Sequence, residues 1–319
     1  MKNILLLSFT LLLGGCSEDE IQNLPKEPII AKADVCWTQL ANFPGVTRAL
    51  ATSFAIGDKA YVGMGNSSGF LLRDFWEYTP ASNKWVRKAD FPGGARMAAV
   101  AFTINGKGYV GTGQSNSIIG LEDFWEYDPS TDSWTRKADF PGGGRNYATG
   151  FSIAGKGYLG TGQDRSTGAL KKDIWEFNPL INTWIRMGDF PGTPRFNAIG
   201  FSIDKKGYLG FGYDGNETKD MWRLDPVFNR WEKVKDFSIN YGINKAVMVI
   251  NNKAYIGFSN EWWEFISVTE SWMQVRNFPG VQRLYPFAFA IGDKGYIGSG
   301  DPIESDGGLE DFWEFSQAH

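Results

Sequence analysis

A unit of about fifty residues recurs along this 319-residue chain, and a period of that length confines the fold to a solenoid or a propeller. One copy runs from Asp123-Phe-Trp-Glu-Tyr-Asp-Pro-Ser-Thr-Asp-Ser-Trp134 through Asp139-Phe-Pro-Gly and Arg145 to Phe151-Ser-Ile-Ala-Gly-Lys156-Gly-Tyr-Leu-Gly-Thr-Gly162. Trp37, Trp85, Trp134, Trp184, Trp231 and Trp272 each stand six residues before a phenylalanine: Phe43, Phe91, Phe140, Phe190, Phe237 and Phe278. Trp76, Trp125, Trp175, Trp222, Trp263 and Trp313 form a second column. Together the columns take twelve of the thirteen tryptophans, so tryptophan here serves the repeat. Arg48, Arg96, Arg145, Arg195 and Arg283 follow the Phe-Pro-Gly turns, each eleven residues before a lysine. Lys253 keeps that register, but Gly242 stands where its arginine would be. The chain therefore carries six units.

Each unit holds four short runs rich in β-branched and aromatic residues, punctuated by Gly, Pro, Asn or Asp. In the third unit they are 147–153, 157–162, 173–177 and 183–187. No run has a sustained helical period. Four strands in each of six units predict an all-β, six-bladed β-propeller, in which radial repetition protects the sheet edges. Trp37 belongs to a fourth strand that no first three precede, and Phe312-Trp313-Glu314 is a third strand followed by only five residues. The N-terminal strand must therefore complete the last blade. The aromatic-Trp-Glu run, the Trp six residues before Phe-Pro and the paired glycines ending the second strand resemble the kelch repeat, over roughly residues 36–316. The glycines are separated by one residue, as in Gly111-Thr-Gly113, where kelch units usually place them side by side.

Residues 1–16 have a basic start, a short apolar core and small residues before Cys16. That pattern predicts a targeting segment over 1–15, too short to span a bilayer, which needs about 20 residues. Leu13-Gly-Gly-Cys16 resembles a bacterial lipobox, which implies cleavage before Cys16 and acylation of its thiol. Ser17-Glu-Asp-Glu20 resembles the surface-export signal of Bacteroidetes lipoproteins, and a solvated spacer would have the same composition. An outer-membrane, surface-exposed lipoprotein is the expectation, with residues 16–35 as lipidated cysteine and linker. Loss of residues 1–15 removes one basic residue, leaving 31 basic against 36 acidic and a net charge of −5. No basic cluster exists, so nucleic-acid binding is not expected. With Cys16 acylated, Cys36 has no disulfide partner. A monomer is expected.

His319 is the only histidine and the last residue. Ser-His-Asp and Cys-His machinery and multi-histidine metal sites are therefore excluded, as is the copper site of galactose oxidase, a related propeller. No catalytic residue, cofactor or metal is assigned. Asp214-Gly-Asn-Glu217 has only a faint calcium-loop character. Glu77, Glu126, Glu176, Glu264 and Glu314 recur around the ring, which suits pairing with neighbouring Lys-x-Tyr strands better than acid–base catalysis. Asp74, Asp123, Asp173, Asp220 and Asp311 are expected to bond turn amides.

Ligand contacts are expected on the face holding the second-to-third and fourth-to-first loops, where the copies differ. Arg48, Arg96, Arg145, Arg195 and Arg283 suit a cationic ring for carboxylate or sulfate groups, or else tie loops within the fold. Asn66, Gln114, Gln163, Tyr213, Asn260 and Asp301 form a polar column of varied kind, the stronger ligand candidates. Tyr147, Phe196, Tyr241 and Tyr285 offer flat faces to a sugar, whereas Trp262 falls in a packing column. The fifth unit lacks the arginine, the Pro-Gly turn and most of one loop, which predicts a notch in the rim. The favoured function is non-catalytic binding of a glycan or protein ligand. The alternative is a sugar mutarotase resembling N-acetylneuraminate epimerase, a periplasmic kelch propeller.

Overall fold

The computed structural model describes residues 35–116, 120–239, 245–304 and 307–317. Cys16, Tyr241, Gly242 and His319 lie outside them, as do the targeting segment and the linker. Among the described residues the chain forms six four-stranded antiparallel sheets. Blade 1 is Thr52–Ile56, Lys59–Gly63, Phe75–Thr79 and Lys84–Lys88. Blade 2 is Val100–Ile104, Lys107–Gly111, Phe124–Asp128 and Ser133–Arg136. Blade 3 is Thr149–Ile153, Lys156–Gly160, Asp173–Asn178 and Thr183–Asp189. Blade 4 is Ile199–Ile203, Lys206–Gly210, Met221–Asp225 and Arg230–Val234, and blade 5 is Lys245–Ile250, Lys253–Phe258, Glu261–Ile266 and Ser271–Gln274. Blade 6 is Phe287–Ile291, Lys294–Gly298, Phe312–Gln317 and, from the start of the chain, Val35–Gln39. The first strands of neighbouring blades touch all the way round.

The expected latch is present. Val35 pairs with Gln317 and Gln39 with Trp313, and the pairing runs on through Leu40 N–H to Phe312 O (2.8 Å) and Phe43 N–H to Glu310 O (2.8 Å). This pairing covers the outer side of Phe312–Gln317, which would otherwise present a row of unpaired backbone groups, and makes blade 6 four-stranded like the others.

Blades pack through the aromatic columns. Trp134 of blade 2 meets Phe75 of blade 1 at 4.9 Å between ring centroids, and Trp184 meets Phe124 at 4.9 Å in the same way. Trp262 takes the place of Phe75 in blade 5, fully buried and 5.2 Å from Trp37. A first-strand phenylalanine lies on the glycine of the next blade's Lys-Gly-Tyr: a Cβ on Gly157 would sit 2.2 Å from the Phe102 ring. That close approach is why the repeat needs Gly there.

Five strand limits in blade 3 differ from the sequence expectation, three of them by one or two residues at the start of the second strand and the ends of the third and fourth. Tyr147 and Thr161 both have φ in the left-handed region, 50° and 57°, so the first strand starts later and the second ends earlier than the apolar pattern suggests. In blade 5, Ser259 and Asn260 alone turn the second strand into the third, with Phe258 opposite Glu261. The short loop behind the predicted notch is therefore present. Residues 240–244, its other half, lie outside the described residues.

Candidate functional site

The five arginines are structural, and this corrects their expected place in a ligand ring. Arg48, Arg96, Arg145, Arg195 and Arg283 are at most 2% exposed. Arg48 donates from Nη1 and Nη2 to the two carboxylate oxygens of Asp74, each at 2.7 Å, and from Nη1 to Met64 O at 3.0 Å. The same fork joins Arg96 to Asp123, Arg145 to Asp173, Arg195 to Asp220 and Arg283 to Asp311. Each guanidinium also lies over the preceding Phe-Pro phenylalanine, as Arg96 does over Phe91 at 4.7 Å. Nothing remains to meet a ligand.

The aspartates therefore do not cap turn amides as expected. Each holds its arginine and accepts from the tryptophan two residues on, as Asp123 does from Trp125 Nε1 at 2.7 Å. Burial alone would raise the carboxyls of Asp74, Asp173 and Asp220, but the guanidinium and indole donors hold them below the usual range. Blade 5, with Gly242 and Glu261 in those places, lacks the Asp-Trp half of the arrangement, and buried Trp263 Nε1 has no partner among the described residues.

All five column glutamates meet the Lys-x-Tyr strand as expected, four through its lysine and Glu126 through Tyr109 OH at 2.5 Å. Lys59 Nζ lies 2.6 Å from Glu77, whose other oxygen accepts from Tyr61 OH at 2.8 Å. Glu176, Glu264 and Glu314 bind Lys156, Lys253 and Lys294. In blade 2, Lys107 turns to Asp128 and Glu126 takes Lys137. Arg223, the exception in blade 4, reaches Glu232 at 2.7 Å and Glu270 of blade 5 at 3.2 Å, an ion pair between blades.

What remains for a ligand is the mouth of the central channel. Two residues past each arginine the chain turns left-handed: Leu50, Ala98, Tyr147, Asn197 and Tyr285 have φ between 50° and 56°. Non-glycine residues in this region are costly, on the order of 1–3 kcal/mol each, and such residues cluster at functional sites. Their peptides form a girdle from blade to blade. Leu50 N–H donates to Tyr285 O (3.2 Å), Ala98 to Leu50 (3.2 Å), Tyr147 to Ala98 (3.3 Å) and Asn197 to Tyr147 (2.9 Å). A cavity of about 160 Å3 opens at the girdle, lined by Tyr147, Asn197, Lys245, Tyr285 and the small residues Ala51, Ala99, Ala148, Ala198 and Pro286. Lys245 is the one charged side chain among the described residues that line it. Burial pushes its ammonium down to about 7, and Glu217 opposes part of that shift. Burial likewise raises the Tyr147 and Tyr285 phenols. Aromatic rings climb from the mouth: Tyr285 to Tyr147 (6.3 Å), Tyr147 to Phe196 (5.7 Å) and Phe196 to Tyr213 (5.6 Å).

The polar column forms the next tier outward. Asn66, Gln114, Gln163 and Tyr213 bridge to Ala49, Met97, Asn146 and Phe196, and Asp301 pairs with Leu284. Gln114 Oε1 accepts from fully buried Asn146 at 2.8 Å, and Asn66 Oδ1 accepts from Gly69 N–H at 3.1 Å, so these two brace loops as well as line the face. Asp214, the faint calcium-loop residue, spends its carboxylate on Thr193 Oγ1 (2.7 Å) and Asn216 N–H (3.1 Å).

Sequence reasoning found Tyr147 and Tyr285 and missed Asn197 and Lys245. The missed signal lies in register. Three residues past the arginine position stand Ala51, Ala99, Ala148, Ala198 and Pro286, and then one lysine.

No protein-family model matches the chain, and no curated protein matches it. Among solved structures it is similar to one described as the structure of YjhT, at 18% identity with a TM-score of 0.71, covering 86% of this chain and 96% of that one. With the six four-stranded sheets and the strand shared between the two ends, the likeness shows that this chain folds as a six-bladed β-propeller.

Proposed function

We propose that this is a kelch-type propeller, anchored to the cell envelope through Cys16 and exposed at the surface as a monomer, that binds an acidic sugar of a glycan at its central mouth without catalysis. The observation that carries this reading is that Lys245, the one charged side chain among the described residues lining the mouth, shares it with Tyr147, Asn197 and Tyr285. Aromatic faces suit the C–H faces of a pyranose, and one cation among alanines selects a single carboxylate. The cavity is small beside the roughly 300–1,000 Å3 of a drug-sized site, so it suits one sugar unit with the rest of the glycan on the loops. Titration of N-acetylneuraminate and galacturonate into the protein tests this. Binding that disappears in Lys245→Met and weakens in Tyr147→Ala, in variants that still unfold in one cooperative transition, upholds it; equal binding by Lys245→Met, or binding only to a protein partner, removes it.

A second reading, sugar mutarotation, draws on the same lysine. An amine that titrates near neutrality can give and take the proton that opens and closes a hemiketal ring. Proton NMR of freshly dissolved N-acetylneuraminate decides between the two. Anomers that equilibrate at the spontaneous rate in the presence of the protein leave binding alone.

A further inference from the structure

The turns between third and fourth strands lie on the face away from the mouth, and their decoration breaks the six-fold pattern. Blades 1 and 2 place Ala81-Ser82 and Ser130-Thr131 at the turn tips. Blades 3, 4 and 5, three neighbours, place Leu180-Ile181, Val227-Phe228 and Val268 there. These side chains are 86%, 64%, 81%, 77% and 90% exposed, in that order. The turn itself does not ask for apolar residues. Leu180 N–H and Val227 N–H donate to Asn178 and Asp225 Oδ1, as Ser130 N–H does to Asp128. Asn83, Asp132, Asn182, Asn229 and Glu270 close all five turns with φ between 48° and 53°. Single exposed apolar residues are ordinary, but large ones at the same position in consecutive blades mark a contact surface.

The occupant follows from where the described chain starts. Val35 pairs with Gln317, the end of the third strand of blade 6, so the chain enters that blade on this same face, where Val35 packs with Ala246, Met248 and Trp262 of blade 5. We propose that Leu180, Ile181, Val227, Phe228 and Val268 seat the propeller on the bilayer that holds Cys16, with the mouth turned outward. This rests on the reading of Cys16 as lipid-bearing. At about 3.3 Å per residue the 18 residues from 17 to 34 reach roughly 60 Å, so the tether permits the contact without forcing it. It also keeps the tips at a high effective concentration near the membrane, so weak apolar insertion is enough. The ions around the tips pair with one another, Lys206 with Asp225 and Arg230 with Glu232. The seating is accordingly apolar, and insensitive to salt and to lipid charge.

The test uses the full acylated chain in phosphatidylethanolamine–phosphatidylglycerol vesicles, in a Cys36→Ser background, since Ser133 and Ser271 hold that place in other blades. A fluorophore is attached at Val268→Cys on the tips, or at Thr167→Cys on the mouth-face loop. Doxyl lipid is expected to quench position 268 several-fold more than 167, aqueous iodide the reverse, in low and high salt alike. Replacing Leu180 and Val227 by Ser and Phe228 by Thr, the residues that the turn of blade 2 holds at those places, is expected to lower the lipid quenching at 268. Iodide access at 268 equal to that at 167 overturns the seating, and so does protection of 268 from both quenchers, which means a protein covers the tips. Flotation read with Cys16→Ser tests the anchor separately. Flotation lost in that variant upholds the anchor whatever position 268 reports, and a wild-type chain without acylation takes both readings down.

Discussion

Arg145 shows how one residue type can suggest a ligand site and instead hold a blade. Its side chain is fully buried and its charge is met by Asp173 at 2.7 Å, so Arg145→Met leaves a largely buried carboxylate uncompensated. A loss of about 3–5 kcal/mol is expected in denaturant unfolding, as for other buried pairs broken on one side. A ring exposed for ligand binding would show almost no change. The depressed carboxyls of Asp74, Asp173 and Asp220 stabilise the fold above their unfolded value of about 3.9, and that contribution disappears as pH falls through their lower folded values. Lys245 works in the other direction. Its folded value of about 7 lies below the usual lysine value of about 10.4, so the unfolded chain binds more protons between them and stability rises with pH across that window. In Lys245→Met that rise is expected to flatten, with melts between pH 6 and about 10 as the measurement. Affinity for an acidic sugar is expected to strengthen in wild type as pH falls through about 7, where Lys245 gains its charge, and to stay level in the variant. The sequence holds both residues plainly, but a repeated arginine reads the same whether it packs inward or faces water. Its partner, Asp173, is 28 residues away.

At the scale of strands, the inter-blade seams carry the stability. Trp134→Ala removes an indole that packs on Phe75 and Phe91 and donates to Ala89 O at 3.1 Å, so about 3–5 kcal/mol is expected from its melt. Gly157→Ala drives a methyl into Phe102 and is expected to cost about 1–3 kcal/mol as overpacking. Phe102→Leu should recover part of that loss in the double variant, because the two residues share one contact. A Gly157→Ala chain as stable as wild type would contradict the packing described. These seams were legible in advance because each depends on a residue type recurring at a fixed offset. The ends of the strands were not, because left-handed Tyr147 and Thr161 look like ordinary strand residues in the pattern.

At the scale of the ring, closure rests on five residues of backbone pairing between Val35–Gln39 and Phe312–Gln317. Deleting Val35–Gln39 exposes the edge of Phe312–Gln317 and uncovers Trp262, Phe278 and Phe315, the rings that pack on Trp37. The expected result is loss of the single cooperative transition, fast hydrogen exchange over residues 312–317 and association by size-exclusion chromatography, as bare edges pair between molecules. By itself the sequence determined the number of blades, their four strands and the shared strand of blade 6, because turn chemistry and aromatic spacing are local and repeat. Only the tertiary structure decided that the arginines face inward and that Lys245 stands at the mouth. The mouth is assembled from one short stretch of each blade, far apart along the chain, and burial and desolvation there belong to the closed ring and to no single segment.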